Sequence, residues 1–276
     1  MAILTYNGRP IDCGSYIPPL SYTKSGMRDG PSANGRYIWH DRNGRCFVNK
    51  GSTSKYFSYS NNSWSSVSSS ISADGTYIWS DGSNDYYSNG SSQYTVRYNG
   101  SLGFVTKTWT GLTSFWGGFV WSDGNNYYYS DGSSHYVLDV SNSAWTQKAW
   151  SGFTSFIGQG IWSDGNNYYY SYNSDQYVLD IGTSTLTQKT WIGLTSFYGG
   201  DIWKLGEHIY FSSGNNHYRL DTATSTWKPV YPGISFSGRD VWSHSGTTYV
   251  SQQDTPTYIL SENVIPENNF ISYETT

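Results

Sequence analysis

Short runs in which apolar and polar residues alternate recur along this chain, bounded by clusters of Ser, Asn, Asp and Gly. Alternation with period two lays one face of an extended strand against a core, and such clusters supply tight turns. The clearest unit follows Gly158-Gln159-Gly160. Ile161-Trp162 reads as a short first strand, Ser163 to Asn167 as a turn, and Tyr168 to Ser171 as a second strand. Gln176 to Asp180 reads as a third strand, and Leu186 to Lys189 as a fourth after the turn Gly182-Thr183-Ser184-Thr185. Each connection is hairpin-sized.

The unit repeats. Trp39, Trp79, Trp121, Trp162, Trp203 and Trp242 each follow an apolar residue and precede a polar turn, at separations of 40, 42, 41, 41 and 39 residues. A period near forty carrying four strand signals predicts an all-β, six-bladed β-propeller of four-stranded antiparallel blades, with a seventh, degenerate blade as the alternative. The last unit loses its pattern after Tyr258-Ile259-Leu260, so a terminus is expected to complete it. Ala2 to Tyr6 and Asn269 to Tyr273 are the two candidate closing strands. The chain thus divides into residues 1–31, an attachment or ring-closing segment, and a propeller over 32–276. The Pro-bearing stretch from Ile17 to Pro31 reads as an ordered connector.

Composition supports β structure and narrows the partners. Charged residues make up 13 %, while Tyr 27, Trp 13 and Gly 30 suit pleated strands and tight turns. A net charge of -4 with scattered Lys and Arg argues against nucleic acid. Cys13 and Cys46 match no zinc or redox spacing and leave open one disulfide or two free thiols. The first residues lack a secretory signal, and no stretch is long and apolar enough to insert in a membrane. A virion or extracellular surface is the favoured location.

One unit carries a family resemblance. Asp201-Ile202-Trp203-Lys204-Leu205-Gly206-Glu207-His208-Ile209-Tyr210-Phe211, then Tyr218-Arg219-Leu220-Asp221 and Thr224-Ser225-Thr226-Trp227, resembles a kelch repeat. The match recurs at Leu138-Asp139 with Trp145 and at Leu179-Asp180 with Leu186, and spans roughly residues 36 to 276. The Gly-Gly pair of kelch strand b stands here as Ser-Asp-Gly, Ser-Asn-Gly or Ser-Ser-Gly. The resemblance implies a propeller that works by binding, with an intracellular protein-interaction scaffold as one form of that role.

In a four-stranded blade the d-to-a connections and b-to-c hairpins share one face. The d-to-a connections here carry Trp109, Phe115 and Trp116, then Trp150 and Phe156, then Trp191, Phe197 and Tyr198. Aromatic rings amid Ser, Thr and Asn suit a neutral glycan or a protein surface, while the alternative is that they wedge between blades. His135 and His217 stand just before strand c, where Gln93 and Gln176 stand in neighbouring units, and read as variable contact positions on that face. The strand-a Trp residues are expected to pack between blades rather than line a channel. Asp81, Asp123 and Asp164 sit in Ser-Asp-Gly turns, where Asp is an ordinary turn residue, so neither metal nor cofactor is expected.

Enzyme readings find little support. The copper constellation of galactose-oxidase-like propellers is not visible, and the turns have the wrong spacing for the Asp boxes of sialidases. Arg36, Arg97, Arg219 and Arg239 show no catalytic arrangement of acid or nucleophile beside them. No nucleophile elbow, phosphate loop or paired His-Glu motif appears, so a glycan-active enzyme stays an alternative. The expected role is a non-catalytic adhesion or virion module, such as a phage tail, fibre or capsid-decorating protein. Leu4 to Ile11 looks like the short starts of some phage structural proteins, which would make the first thirty residues a link to a virion scaffold protein.

Overall fold

The computed structural model describes residues 5–6, 9–10, 20–25, 35–58, 63–198, 200–231, 233–252 and 257–262. They form six antiparallel blades of four strands, and in blade 2 the short strand Phe115–Trp116 of the following connection adds to Asp85–Gly90 as a fifth. Blade 1 holds Ile38–His40, Cys46–Lys50, Thr53–Ser58 and Ser63–Ser66 as strands a to d. Blade 2 holds Ile78–Ser80, Asp85–Gly90, Ser92–Tyr98 and Leu102–Thr106, and blade 3 Val120–Ser122, Tyr127–Asp131, Ser134–Asp139 and Ala144–Gln147. Blade 4 comprises Ile161–Ser163, Tyr168–Tyr172, Asp175–Asp180 and Thr185–Gln188, and blade 5 Asp201–Leu205, His208–Ser213, Asn216–Asp221 and Thr226–Val230.

Blade 6 joins the two ends of the chain. Val241–His244, Thr247–Val250 and Tyr258–Glu262 are its first three strands, and Leu20–Lys24 pairs with Tyr258–Glu262 as the fourth. The closing strand therefore lies inside the stretch read from sequence as a connector. Thr5–Tyr6, part of one candidate, pairs instead with Arg9–Pro10. The other candidate, Asn269 to Tyr273, and Cys13 lie outside the described residues. Cys46 is a free, fully buried thiol whose pKa burial pushes up. Because Leu20–Lys24 completes blade 6, removing residues 1–31 would open the ring.

The strand-a tryptophans show why the repeat holds its spacing. Each lies directly across from an aromatic residue of strand b: Phe47, Tyr86, Tyr128, Tyr169, Tyr210 or Tyr249. Cross-strand neighbours on one pleated face are close enough to stack, and the ring centroids lie 4.3 to 4.8 Å apart. Two residues further on, the same face carries a small polar group. Each indole Nε1–H donates to it, to Asn49 in blade 1 and to Ser88, Ser130, Ser171, Ser212 and Ser251 in the others, at 2.7 to 3.1 Å. The rings thus fill space between blades with their one polar atom satisfied.

Closure at the axis depends on absent side chains. A one-turn 3-10 helix precedes strand a in five blades, and its first residue is Gly35, Gly75, Gly117, Gly158 or Gly238. A Cβ on any of these would lie 2.0 to 2.2 Å from a backbone carbonyl oxygen of the preceding blade. Farther out, Ser69, Thr110, Ser151 and Ile192 each form a parallel bridge to strand d of the next blade, so the connections cover the outer edges.

Candidate functional site

The d-to-a connections and b-to-c hairpins do share a face, tied by backbone bonds. The amides of Ala73, Phe156, Phe197 and Phe236 donate to the hairpin carbonyls of Gly51, Gly132, Asn173 and Gly214 at 2.7 to 3.1 Å. Side chains reinforce the tie. Gln93, His135, Gln176 and His217 are all buried and donate from Nε2 to the connection carbonyls of Phe115, Thr154, Thr195 and Ile234. Gln and His alternate here because both can present an N–H at that reach. The two histidines are pegs beneath the loops, not surface contacts. Each also packs its ring on the loop, His135 on Phe156 and His217 on Phe236, with centroids 4.2 and 4.5 Å apart.

Most of the loop aromatics are likewise interior. Trp109, Phe115, Trp150, Phe156, Trp191 and Phe197 are buried among strand-a and strand-d rings of adjoining blades. Lys107, Lys148 and Lys189 lie over the rings of Trp109, Trp150 and Trp191 at 4.5 to 5.4 Å. A partner could reach these rings only by parting the blades. Trp116 and Tyr198, at 39 % and 77 % exposure, are the two predicted loop residues that face solvent.

The pegs carry a pH dependence. Burial lowers the pKa of His135 and of His217 below the ordinary 6.5, because each ring is held neutral away from water. His135 Nδ1 is buried with no hydrogen-bond partner, so a proton there would be an unpaired buried charge. The unfolded chain binds protons from about pH 6.5 downward, whereas the folded pegs resist them. Stability is therefore complete above that range and falls as pH drops through it. The double variant H135Q/H217Q, which copies blades 2 and 4, is expected to fold and to show a shallower fall in melting temperature from pH 7.5 to 5. An unchanged slope would remove the pegs from the explanation.

Sequence reasoning missed the centre of this face. The residue after each axial glycine borders a hollow of about 500 Å³ on the propeller axis. Arg36, Thr76, Gly118, Gln159 and Arg239 line it from five blades, with Asp201 from the sixth, and Tyr77, Phe119 and Trp116 complete the wall. Arg239 Nε donates to Asp201 at 2.5 Å, an acid from the neighbouring blade that lies 38 residues away in sequence. Burial pushes the Asp201 pKa up, against the pull of the Arg239 guanidinium. Trp116 stands at the rim against Tyr77, ring centroids 5.4 Å apart. The signal was available: Gly and Trp recur around this position, while the position itself runs Arg, Thr, Gly, Gln, Gly, Arg.

The Ser-Asp-Gly turns occupy the opposite face and serve themselves. Asp81, Asp123 and Asp164 each accept two turn amides at 2.6 to 2.8 Å and a strand-b tyrosine hydroxyl, from Tyr86, Tyr128 and Tyr169, at 2.8 to 2.9 Å. Burial works against ionisation of Asp123 and Asp164, yet these donors outweigh it and hold both carboxyls below the ordinary range. Blade 5 lacks the aspartate, and its Tyr210 hydroxyl donates instead to Glu262 of blade 6. Among the described residues no group of three or more His, Cys, Asp or Glu could hold a metal ion, and no helix is long and apolar enough to cross a membrane.

No family model matches the chain, and no curated protein matches it in sequence. Solved structures do. The extracellular domain of a protein described as a one component system from B. thetaiotaomicron aligns at TM-score 0.51 and 8% identity, over 82% of this chain and 33% of that one. The extracellular domain of a hybrid two component system from the same organism aligns at TM-score 0.48 and 12% identity, over 87% of this chain and 35% of that one. Virginiamycin B lyase from Staphylococcus aureus aligns at 0.48 and 11%, over 81% and 79%. The chain spans about a third of the length of the two extracellular domains. At such identities the likeness is one of fold: the chain is an all-β, six-bladed propeller.

Proposed function

We propose that the chain is a non-catalytic binding module of a virion or cell surface that recognises a glycan at the axial mouth. The observation that carries this reading is the hollow itself. It has the volume of a small-ligand site and sets a half-exposed indole beside the hydrogen-bonding side chains of Arg36, Thr76, Gln159 and Arg239. Sugars offer flat CH faces to an aromatic ring and hydroxyls to such groups. Low charge and abundant Tyr, Ser, Asn and Gly suit a protein working outside a cell.

The site has donors and acceptors but no paired acid and base set for proton transfer. Asp201 is the carboxylate in the lining, and its side chain is engaged by Arg239. That arrangement favours binding over turnover. Replacing Trp116 with alanine is expected to lower glycan-array or cell binding at least about tenfold, equivalent to about 1.4 kcal/mol, while the melting temperature moves by a few degrees at most. Undiminished binding by the folded variant would remove the axial mouth from this role.

A further inference from the structure

We infer that the glycan taken by the axial mouth is an acidic one, with its carboxylate seated against Arg36; this rests on the glycan reading above. The two arginines of the mouth differ in their partners. Arg239 is neutralised by Asp201 at 2.5 Å. Arg36 donates from Nη2 to the Tyr37 hydroxyl at 2.6 Å and lies 4.7 Å from that ring's centroid, and among the described residues no carboxylate pairs with it. The lining therefore carries an uncompensated positive charge in a chain whose net charge is -4.

The two arginine-bearing turns touch across the junction of blades 6 and 1, where a Cβ on Gly35 would lie 2.2 Å from the Asp240 carbonyl oxygen. Their guanidinium-bearing residues thus border one sector of the hollow. Across it, Gly118 adds no side chain to the wall and lies close against its neighbours: a Cβ there would stand 3.0 Å from the Thr76 carbonyl oxygen and 3.2 Å from Gln159 Nε2. A sugar ring in the hollow would lie beside Thr76 and Gln159, with Trp116 at the rim. A guanidinium offers a carboxylate two parallel N–H donors, and a concave wall weakens the competing water. A neutral sugar would leave this charge to solvent alone. A polyphosphate would meet one unpaired cation inside an acidic protein, too little for a polyanion.

The experiment compares matched probes on the full chain: trigalacturonate with its methyl ester, and sialyllactose with lactose, each titrated at 20 and 300 mM salt. For at least one pair the free acid is expected to bind ten-fold or more tightly than its neutral partner at low salt, with the preference shrinking at high salt. Arg36→Gln should abolish that preference and leave the melting temperature unchanged, while Trp116→Ala should weaken acid and neutral probes alike. Equal affinities within both pairs, or a preference that survives in Arg36→Gln, would overturn the acidic assignment and leave the glycan reading standing. Failure of the wild-type chain to bind any of the four probes, or any glycan of a broad array, would overturn both.

Discussion

Trp191→Ala is expected to cost about 3–5 kcal/mol of folding stability, the usual range for emptying a buried aromatic site. The indole is 4 % exposed and packs on Trp162, Tyr169 and Trp227, with centroids 5.3 to 6.1 Å away. Its loss would leave a void between blades 4 and 5 that strand-b and strand-d backbones cannot close without shifting their ladders. A domain of this size typically stands only about 5–15 kcal/mol above its unfolded state, so the melting temperature should fall by on the order of 10 °C. Trp191→Phe should cost far less, because the buried Nε1 has no hydrogen-bond partner to lose. Thermal melts of the two variants beside Trp116→Ala separate the roles. If Trp191→Ala melted with the wild type, the ring would belong to a solvent-facing surface after all.

That contrast shows what the residues disclosed and what they withheld. The blade number followed from six tryptophans, because one cross-strand stack and one indole bond repeat in every unit and tolerate little drift in spacing. The face carrying the connections was also legible, since strand order alone puts those loops beside the b-to-c hairpins. Depth was not. Trp116 and Trp150 sit in successive d-to-a connections with similar polar neighbours, yet Trp150 enters the seam between blades and Trp116 stays at the rim. That difference depends on where each loop crosses the next blade. The pairing of Arg239 with Asp201 is a contact between blades, invisible to any reading of local neighbours. The closing strand Leu20–Lys24 was hidden for the same reason, because its register is set by the far end of the chain. Its pattern, Leu-Ser-Tyr-Thr-Lys, is an ordinary strand alternation that the nearby prolines masked.

The axial glycines make the second large prediction, since backbone there meets backbone. Gly117 does not occupy the left-handed region, so its own φ and ψ would admit any residue. Its neighbour would not: a Cβ would lie 2.1 Å from the Tyr77 carbonyl oxygen and 2.9 Å from Cδ1 of Trp79. Relief requires blade 3 to move away from blade 2, and a closed ring passes that movement to every other junction. The axial glycines Gly35, Gly75, Gly158 and Gly238 stand equally close to the blades before them, so those four junctions have little slack to absorb it. Overpacking in a well-filled interior costs about 1–3 kcal/mol when side chains can yield, and a carbonyl fixed beside the axis yields less. Gly117→Ala is therefore expected to lose roughly 3 kcal/mol or more, in denaturant midpoint and melting temperature alike. Gly124→Ala supplies the comparison. Gly124 has φ +91 and open space around its would-be Cβ, so its penalty is backbone strain alone, about 1–2 kcal/mol. If the Gly117 variant proved no worse than the Gly124 variant, the ring would have play at its centre, and the axial mouth could not hold Arg36, Gln159 and Arg239 in a fixed arrangement.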